Sequence, residues 1–248
     1  MIYIIAGIIT FIFTTVLTIA GVGAAFILIP VFLALKIPIR EAMATALLLN
    51  SIAMIFASRT YIKRKLVVFK TAIPILIVAT ALSPIGAYTS KYVSREVLLW
   101  LFSAFLIFAG SMMLFYTSQE KERKTSTATL VGYGTGVGSL AGYLGGLLGV
   151  GGGNFIVPVL VWLGFNPKKA SATTAFIVIF SSFSGFLGHA SLGHMNIQLL
   201  LITAIGSSIG AILGAWLMGE KLKSRQVKKI IGIILFGIAA KMIWNLVA

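Results

Sequence analysis

One stretch of this chain occurs twice, and it constrains the fold more than any other feature. The second copy begins at Gly149 and reads Gly-Val-Gly-Gly-Gly-Asn-Phe-Ile-Val-Pro inside a long apolar segment. Residues 21–45 match residues 149–173 at a constant offset of 128 positions, without a gap. The identical pairs are Gly21 and Gly149, Val22 and Val150, Gly23 and Gly151, Pro30 and Pro158, Val31 and Val159, Leu35 and Leu163, Ala42 and Ala170, Ala44 and Ala172, and Thr45 and Thr173. A match in this register predicts an internal duplication.

The composition predicts a protein that crosses a membrane several times. Of the 248 residues, 59% are hydrophobic and 10% are charged, and the mean hydropathy is +1.06. Soluble domains carry roughly 25% charged residues. We therefore predict an all-α, polytopic, multi-pass protein of the cell membrane, whose apolar helices of roughly 20 residues cross the bilayer.

The apolar segments divide the chain into two equivalent halves. They lie at about 2–35, 42–58, 71–88, 97–116, 128–163, 170–189, 196–218 and 229–247. The first and the fifth are too long for one crossing, and they contain the glycine clusters. Each half is therefore predicted to contain one glycine-broken element, either re-entrant or a hairpin, followed by three transmembrane helices. The predicted units are a first repeat at 1–118, a basic linker at 119–127 and a second repeat at 128–248.

The basic loops predict how the two halves are oriented. The net charge of +15 is concentrated in short loops, most strongly at 59–65, 121–124 and 221–229. If every segment crossed once, the first and last of these clusters would face opposite sides, against the positive-inside rule. If the two broken elements enter and return, all three clusters face the cytoplasm and the repeats are inverted, as in many secondary transporters. The same pattern predicts anionic lipids, and not nucleic acid, as the partner of the basic loops.

The residue types that the chain lacks exclude several functions. Without cysteine, disulfides, thiolate metal sites and cysteine nucleophiles are excluded. There is no aspartate, and the five glutamates lie at segment ends or in loops: Glu41, Glu96, Glu120, Glu122 and Glu220. Carriers of cations and proton relays usually hold carboxylates within the membrane. We therefore predict a small anion as substrate, with no metal, no cofactor and no catalytic residue.

The glycine breaks are the predicted substrate site. A helix that restarts after a break presents free N–H groups and the positive end of its dipole, and both attract anions. A restart near Asn154 would direct such groups into a cavity, and hydroxyls at the start of the next segment would add donors. The predicted site consists of Gly149, Gly151, Gly152, Gly153, Asn154, Thr173, Thr174, Gly21, Gly23, Thr45 and Asn50.

Two structural alternatives remain open for these residues. The glycines could serve only to permit a tight hairpin, and the threonines could bond only to their own backbone. The first copy has Ala24, Ala25 and Phe26 where the second has the run 152–154 of glycine, glycine and asparagine. We therefore expect an asymmetric site that is weighted toward the second half.

Other glycines and the two histidines are predicted to have structural roles. Glycines recur every four residues at 134–146 and at 206–214, a spacing that lets membrane helices approach closely. His189 and His194 lie at the mouth of the loop 187–197, which contains no lysine or arginine. A solvated histidine is the expectation for both, and a proton-sensing or gating role is the alternative.

With these motifs the chain resembles the TauE/SafE family, the membrane proteins regarded as exporters of sulfite and organosulfonates. The resemblance rests on the run from Gly149 to Pro158, on the Ala-x-Ala-Thr-Thr-Ala run at 170–175 and on the decayed first copy at 21–45. It implies export, a sulfur oxyanion or sulfonate as substrate, and a homodimer. The first copy departs from the glycine-rich form at Ala24 and Ala25. The resemblance therefore does not imply that the first half contributes equally to the substrate site.

The residues and the resemblance together predict a secondary transporter that exports small sulfur-containing anions by alternating access. The alternative is an anion channel with the same donor-lined cavity. An intramembrane enzyme is not expected, because the sequence offers no paired carboxylates, no metal cluster and no serine with a nearby base.

Overall fold

The computed structural model describes residues 2–34, 37–92, 94–115, 127–190 and 197–247, and within these ranges it contains helices and no strand. The predicted all-helical fold is confirmed. The helices are α1 (Ile2–Ala20), α2 (Ala25–Ala34), α3 (Ile39–Lys63), α4 (Phe69–Thr89), α5 (Arg95–Phe115), α6 (Thr127–Leu147), α7 (Gly153–Trp162), α8 (Pro167–Ala190), α9 (Ile197–Trp216) and α10 (Ser224–Val247), with a π-helical turn at Leu217–Lys221.

Each of the two long apolar segments forms two helices separated by its glycine cluster. Helix α1 ends before Gly21 and α2 begins at Ala25, while α6 ends before the cluster at 148–152 that precedes α7. Helix α7 begins and ends 128 residues after α2, and α8 and α9 begin 128 residues after α3 and α4. The offset found in the motif therefore also relates the helices that follow it.

Several helices have the length and composition of membrane spans. In the part of the chain that the structure describes, four helical segments are long and apolar enough to cross a bilayer: Glu41–Lys63, Phe69–Thr89, Pro167–Ala190 and Ile197–Lys221. Large apolar side chains such as Ile77, Phe108 and Ile205 are exposed on the outside of the bundle. An apolar exterior of this kind requires lipid as its solvent.

The helices of the two halves pack against each other. Helices α4 and α6 lie parallel, because Gly138 contacts Ile75, Gly142 contacts Ala79 and Gly146 contacts Ser83. Helices α1 and α9 also lie parallel, with glycines 206, 210 and 214 against the backbone at positions 7, 11 and 15. The two glycine ridges are therefore close helix seams, as predicted from their spacing. The linker falls largely outside the described residues, and the division into 1–118 and 128–248 stays a prediction.

Helices α3 and α8 cross at the centre in opposite directions. Along this contact Leu47 lies near Gly185, the Asn50 amide donates to Ser182 Oγ at 2.9 Å and the Ser51 hydroxyl donates to the Ile179 carbonyl at 2.9 Å. Ser51 and Ile179 are themselves 128 residues apart. This bond therefore joins equivalent positions of the two copies.

The two ends of the bundle are distinguished by their contacts. At one end Arg64 forms an ion pair with Glu220, and Lys168 Nζ donates to the Gly219 carbonyl at 3.2 Å. We call this the Arg64 end. At the other end, the His189 end, the last turn of α8 lies beside the last turn of α6. The loops after α3, before α8 and after α9 therefore meet at one end of the molecule.

Candidate functional site

The second break is shaped by three glycines in the left-handed region. Gly149, Gly151 and Gly152 have φ angles of 69°, 73° and 79°, which residues with a Cβ rarely adopt. The amides of Val150 and Gly151 both bond back to the Gly145 carbonyl, at 2.8 and 3.2 Å. Glycine here lets the chain leave α6 and start α7 within five residues.

The first turn of α7 contains two backbone amides that have no acceptor in the part of the chain that the structure describes. The Phe155 amide donates to the Gly152 carbonyl at 3.1 Å. The amides of Gly153 and Asn154 have no acceptor among the described residues. These are the free first-turn donors that an anion can use.

The first break has the same outline with one left-handed residue fewer. Gly21 and Gly23 have φ angles of 72° and 77°, while Ala24 is not in the left-handed region. Its carbonyl accepts from the amides of Ile27 at 3.1 Å and Leu28 at 3.0 Å. The Gly152 carbonyl accepts from the equivalent amides of Phe155 and Ile156, so α2 and α7 begin at equivalent positions, and Ala24 precedes its helix without the left-handed φ angle that Gly152 has.

Asn50 connects the two breaks. A Cβ added to Gly23 would overlap the Asn50 side chain, and one added to Gly151 would overlap Ser182 and lie 3.0 Å from Asn50 Nδ2. The Ser181 hydroxyl donates to the Gly151 carbonyl at 2.9 Å. Asn50, Gly23 and Gly151 from the predicted site thus lie together.

Two further glycines of the predicted site contact the opposite half. A Cβ on Gly21 would overlap the Ser171 backbone, and one on Gly149 would lie 3.0 Å from the Met43 side chain. Since Met43 lies 128 residues before Ser171, these two contacts are equivalent. The backbone of Gly153 faces that of Val22. The breaks therefore pack on each other's halves, and a tight hairpin alone does not account for them.

Several buried polar atoms near the breaks have no hydrogen-bond partner. They are Asn50 Oδ1, Asn154 Oδ1, Thr45 Oγ1, Thr174 Oγ1 and Ser171 Oγ. Each of these residues is at most 1% exposed. Unpaired polar atoms in an interior are costly and call for an explanation, such as a ligand or an ion that occupies the site at another stage.

The threonines of the predicted site behave differently from one another. Thr173 Oγ1 accepts the Val68 amide at 3.0 Å, at the start of α4. It therefore has a structural bond to the first half, while Thr45 and Thr174 have unbonded hydroxyls. We call the side chains of Asn50, Ser181 and Ser182 the Asn50 cluster. No hydrogen bond among the described residues joins Thr45 Oγ1, Thr174 Oγ1 or Asn154 Oδ1 to it.

Sequence reasoning did not assign Ser181 and Ser182, which bond to Gly151 and Asn50. Their equivalents in the first half are Ala53 and Met54. The signal that could have identified them is a pair of serines at positions where the first copy has apolar residues. Together with Ser171 and Thr174 they give α8 more buried hydroxyls than α3. The second half therefore has more polar groups near the breaks, as expected for a site that is weighted toward that half.

The expectation of a solvated His189 is wrong. The side chain is 1% exposed, and its Nε2 lies 2.9 Å from the Gly146 carbonyl in the last turn of α6. Helix α8 continues to Ala190 and carries the ring into the contact with α6, so it does not enter a loop. His194 lies outside the described residues.

Comparison with known proteins identifies the family. A family model described as Sulfite exporter TauE/SafE matches residues 5–242. The chain belongs to the TauE/SafE sulfite exporter family.

Relatives in this family are transporters by name. The chain is 28% identical to the probable membrane transporter protein YunE of Bacillus subtilis over 93% of both chains. It is 23% identical to a probable membrane transporter protein of Methanocaldococcus jannaschii, over 87% of this chain and 85% of that one. Sulfite exporter TauE/SafE family protein 1 of Arabidopsis thaliana is 37% identical over 75 residues, which are 30% of this chain and 17% of the plant protein. No solved structure matches the chain. A TauE/SafE protein is a membrane transporter, and the apolar helices agree with that placement.

Proposed function

We propose that this TauE/SafE protein is a secondary transporter, not an enzyme, that exports small sulfur-containing anions by alternating access. Sulfite and organosulfonates such as sulfoacetate are the proposed substrates, and the cell membrane is the proposed location. The observation that carries the proposal is the meeting of both glycine breaks at Asn50, together with the first-turn amides of α7 that have no acceptor among the described residues. The oxygens of sulfite and sulfonates accept hydrogen bonds and need donors of this kind.

The charges around the site support an anion over a cation. The buried polar residues of the described chain include no Asp or Glu that would repel an anion or bind a metal ion. They include no Lys or Arg either, so backbone and side-chain dipoles supply the binding energy. Dipoles fixed in a low-dielectric interior interact with an ion far more strongly than they do in water.

The inverted-repeat arrangement is also part of the proposal. The parallel pairs α1–α9 and α4–α6, with α3 and α8 antiparallel, support broken elements that enter and return from opposite ends. The ion pair between Arg64 and Glu220 supports a common cytoplasmic side for two of the basic loops. That side is the proposed location of anionic lipids, which would contact the basic loops. A homodimer is also part of the proposal.

The shared cytoplasmic side predicts a cross-link between Arg64→Cys and Glu220→Cys. Because the chain has no cysteine of its own, a short bifunctional thiol-reactive linker should join this pair, and mass spectrometry should then show one linker per chain. In intact cells an impermeant maleimide should label neither single variant until the cells are opened. Gln198→Cys, which is exposed at the His189 end, is the matched control and should be labelled from outside. Labelling of Arg64→Cys from outside would contradict the proposed orientation.

A carrier is favoured over a channel because the site is closed. Every side chain of the Asn50 cluster is at most 1% exposed, and α7 is almost entirely buried. An open channel requires a continuous polar path, whereas a carrier passes through closed states. Saturable counterflow in proteoliposomes separates the two, since a channel with the same donors shows none.

The proposed substrate class predicts selective stabilisation of the purified protein. We expect sulfite, thiosulfate or a sulfonate to raise the unfolding temperature more than equal concentrations of phosphate. A ligand present at 100 times its Kd stabilises by about 2.7 kcal/mol, because it binds the folded state only. Thermal shifts with sulfite, thiosulfate, sulfate, taurine, sulfoacetate and phosphate make the comparison. Stabilisation by none of the sulfur compounds would contradict the proposal.

A further inference from the structure

His189 is placed beside the second break by a shared hydrogen-bond acceptor. The Gly146 carbonyl lies 2.9 Å from His189 Nε2, and it also accepts the Gly149 amide at 3.1 Å. Gly149 is the first left-handed residue of the break. One carbonyl oxygen therefore joins the imidazole to the segment that leads into the first turn of α7.

This contact determines which ring nitrogen is free to titrate. A carbonyl oxygen is only an acceptor, so Nε2 carries the hydrogen and donates it. In the neutral ring Nδ1 is then the unprotonated nitrogen, and a proton taken up by His189 binds there. The bond to Gly146 is kept in both charge states.

The position of the His189 ring favours a positive charge on that ring when an anion is bound. Gly146 is in the last turn of α6, where the carbonyl end of the helix dipole favours cations. The first turn of α7, which begins seven residues further on at Gly153, has the opposite polarity and favours anions. Broken helices in secondary transporters use their two kinds of ends in this way for coupling ions and for substrates.

Among the side chains whose burial the structure describes, no other buried one offers that charge. Among the buried polar residues of the described chain, His189 is the one that can become cationic. A site made of dipoles alone would otherwise hold the anion as an uncompensated charge in the interior.

We infer that His189 binds a proton at Nδ1 when the anion binds, so that one proton and one anion bind and move together. The inference rests on the proposed transport function and names its coupling ion. A proton that moves with a monovalent anion makes the transported pair electrically neutral, so the membrane potential does not drive its movement. Protonated His189 strengthens anion binding, and by linkage the anion favours protonation.

The other titratable side chains on the helices at the His189 end belong to residue types that titrate in other pH ranges than histidine does. Those on the helices packed against α8 include Tyr143 of α6, Tyr88 of α4, Tyr3 of α1, Glu41 of α3, Arg40 of α3 (a residue type that is always protonated), Lys241 of α10 and, just after α4, Lys91 and Tyr92. Tyr143 accepts from the Thr89 hydroxyl at 3.1 Å, and Lys91 Nζ lies 3.6 Å from the Tyr88 ring centre. Tyrosine, lysine and glutamate ordinarily titrate outside pH 5.5–8. A change of affinity within that window therefore reports on a histidine.

The test measures sulfoacetate affinity of the purified full chain between pH 5.5 and 8. Sulfoacetate keeps its charge in this window, so only the protein titrates. The Kd should be smallest at low pH and should rise, by up to about tenfold per pH unit, above the pKa of His189 in the free protein. His189→Gln keeps a donor for Gly146 but cannot take up the proton, and its Kd should not vary with pH. His194→Gln is the matched control and should behave as the unaltered chain.

Proton uptake on binding gives a second readout that needs no variant. Calorimetry in buffers of different ionisation enthalpy should show about one proton bound per sulfoacetate near the midpoint of the pH dependence. A pH-independent Kd of the unaltered chain, or an unchanged pH dependence in His189→Gln, would overturn the coupling and leave the transport proposal intact. If no sulfur anion binds at any pH, the transport proposal fails and the coupling fails with it.

Discussion

Asn154→Leu is expected to lower sulfonate transport by about 10- to 100-fold while the protein still inserts into the membrane. Leucine has nearly the same size as asparagine and removes the Nδ2 donor of a side chain that is buried in the first turn of α7. A hydrogen bond to a charged group contributes roughly 1.5–3 kcal/mol, which corresponds to that range of affinity. The measurement is counterflow of sulfoacetate in proteoliposomes that contain equal amounts of protein.

Three further variants make the result specific. Asn154→Ser keeps a hydroxyl and should recover part of the rate, whereas Phe26→Leu, 128 positions earlier in the first copy, should leave it unchanged. Gly152→Leu should abolish transport and also lower stability, because a side chain there would overlap the Ala141 carbonyl at a φ of 79°. Unaltered transport by Asn154→Leu would remove the α7 restart from the proposed site.

The helix breaks could be predicted from the sequence because their cause is local. Gly21, Gly23, Gly149 and Gly151 are the glycines that both copies share, and all four have positive φ. Glycine is the residue that tolerates this conformation, so the positions of the shared glycines indicate where the backbone is left-handed. The glycine ridge at 134–146 was predictable for a similar reason, since spacing along one helix defines one face.

The contacts between the breaks could not be predicted, because they depend on how distant helices cross. Nothing in the sequence pairs Asn50 with Ser182, which are 132 residues apart on antiparallel helices. The bond of Thr173 to Val68 spans 105 residues and depends on the same packing. The expectation of a solvated His189 was wrong for the same reason. The burial of this side chain follows from the position of α6 and not from its own neighbours in sequence.

Gly146→Ala is expected to destabilise the protein by roughly 1–3 kcal/mol, a typical cost of overpacking a close contact. A Cβ at this position would overlap the carbonyl oxygen of Ser83 on α4. Backbone cannot move aside as a flexible side chain can, so α4 and α6 must separate. For a chain of this size the unfolding temperature should fall by about 5 °C, as measured by thermal denaturation in detergent.

Gly136→Ala is the matched control on the same helix, because no atom lies within 4 Å of a Cβ at that position. Alanine is favoured over glycine within a helix by roughly 0.5–1 kcal/mol, so this variant should be as stable as the unaltered chain or slightly more stable. Equal effects of the two substitutions would mean that α6 does not contact α4 through the Gly146 face. The difference between them isolates the contact, since the chemical change and the helix are the same. It also bears on transport, because separating α4 from α6 shifts the Gly146 carbonyl to which both His189 and the break are bonded.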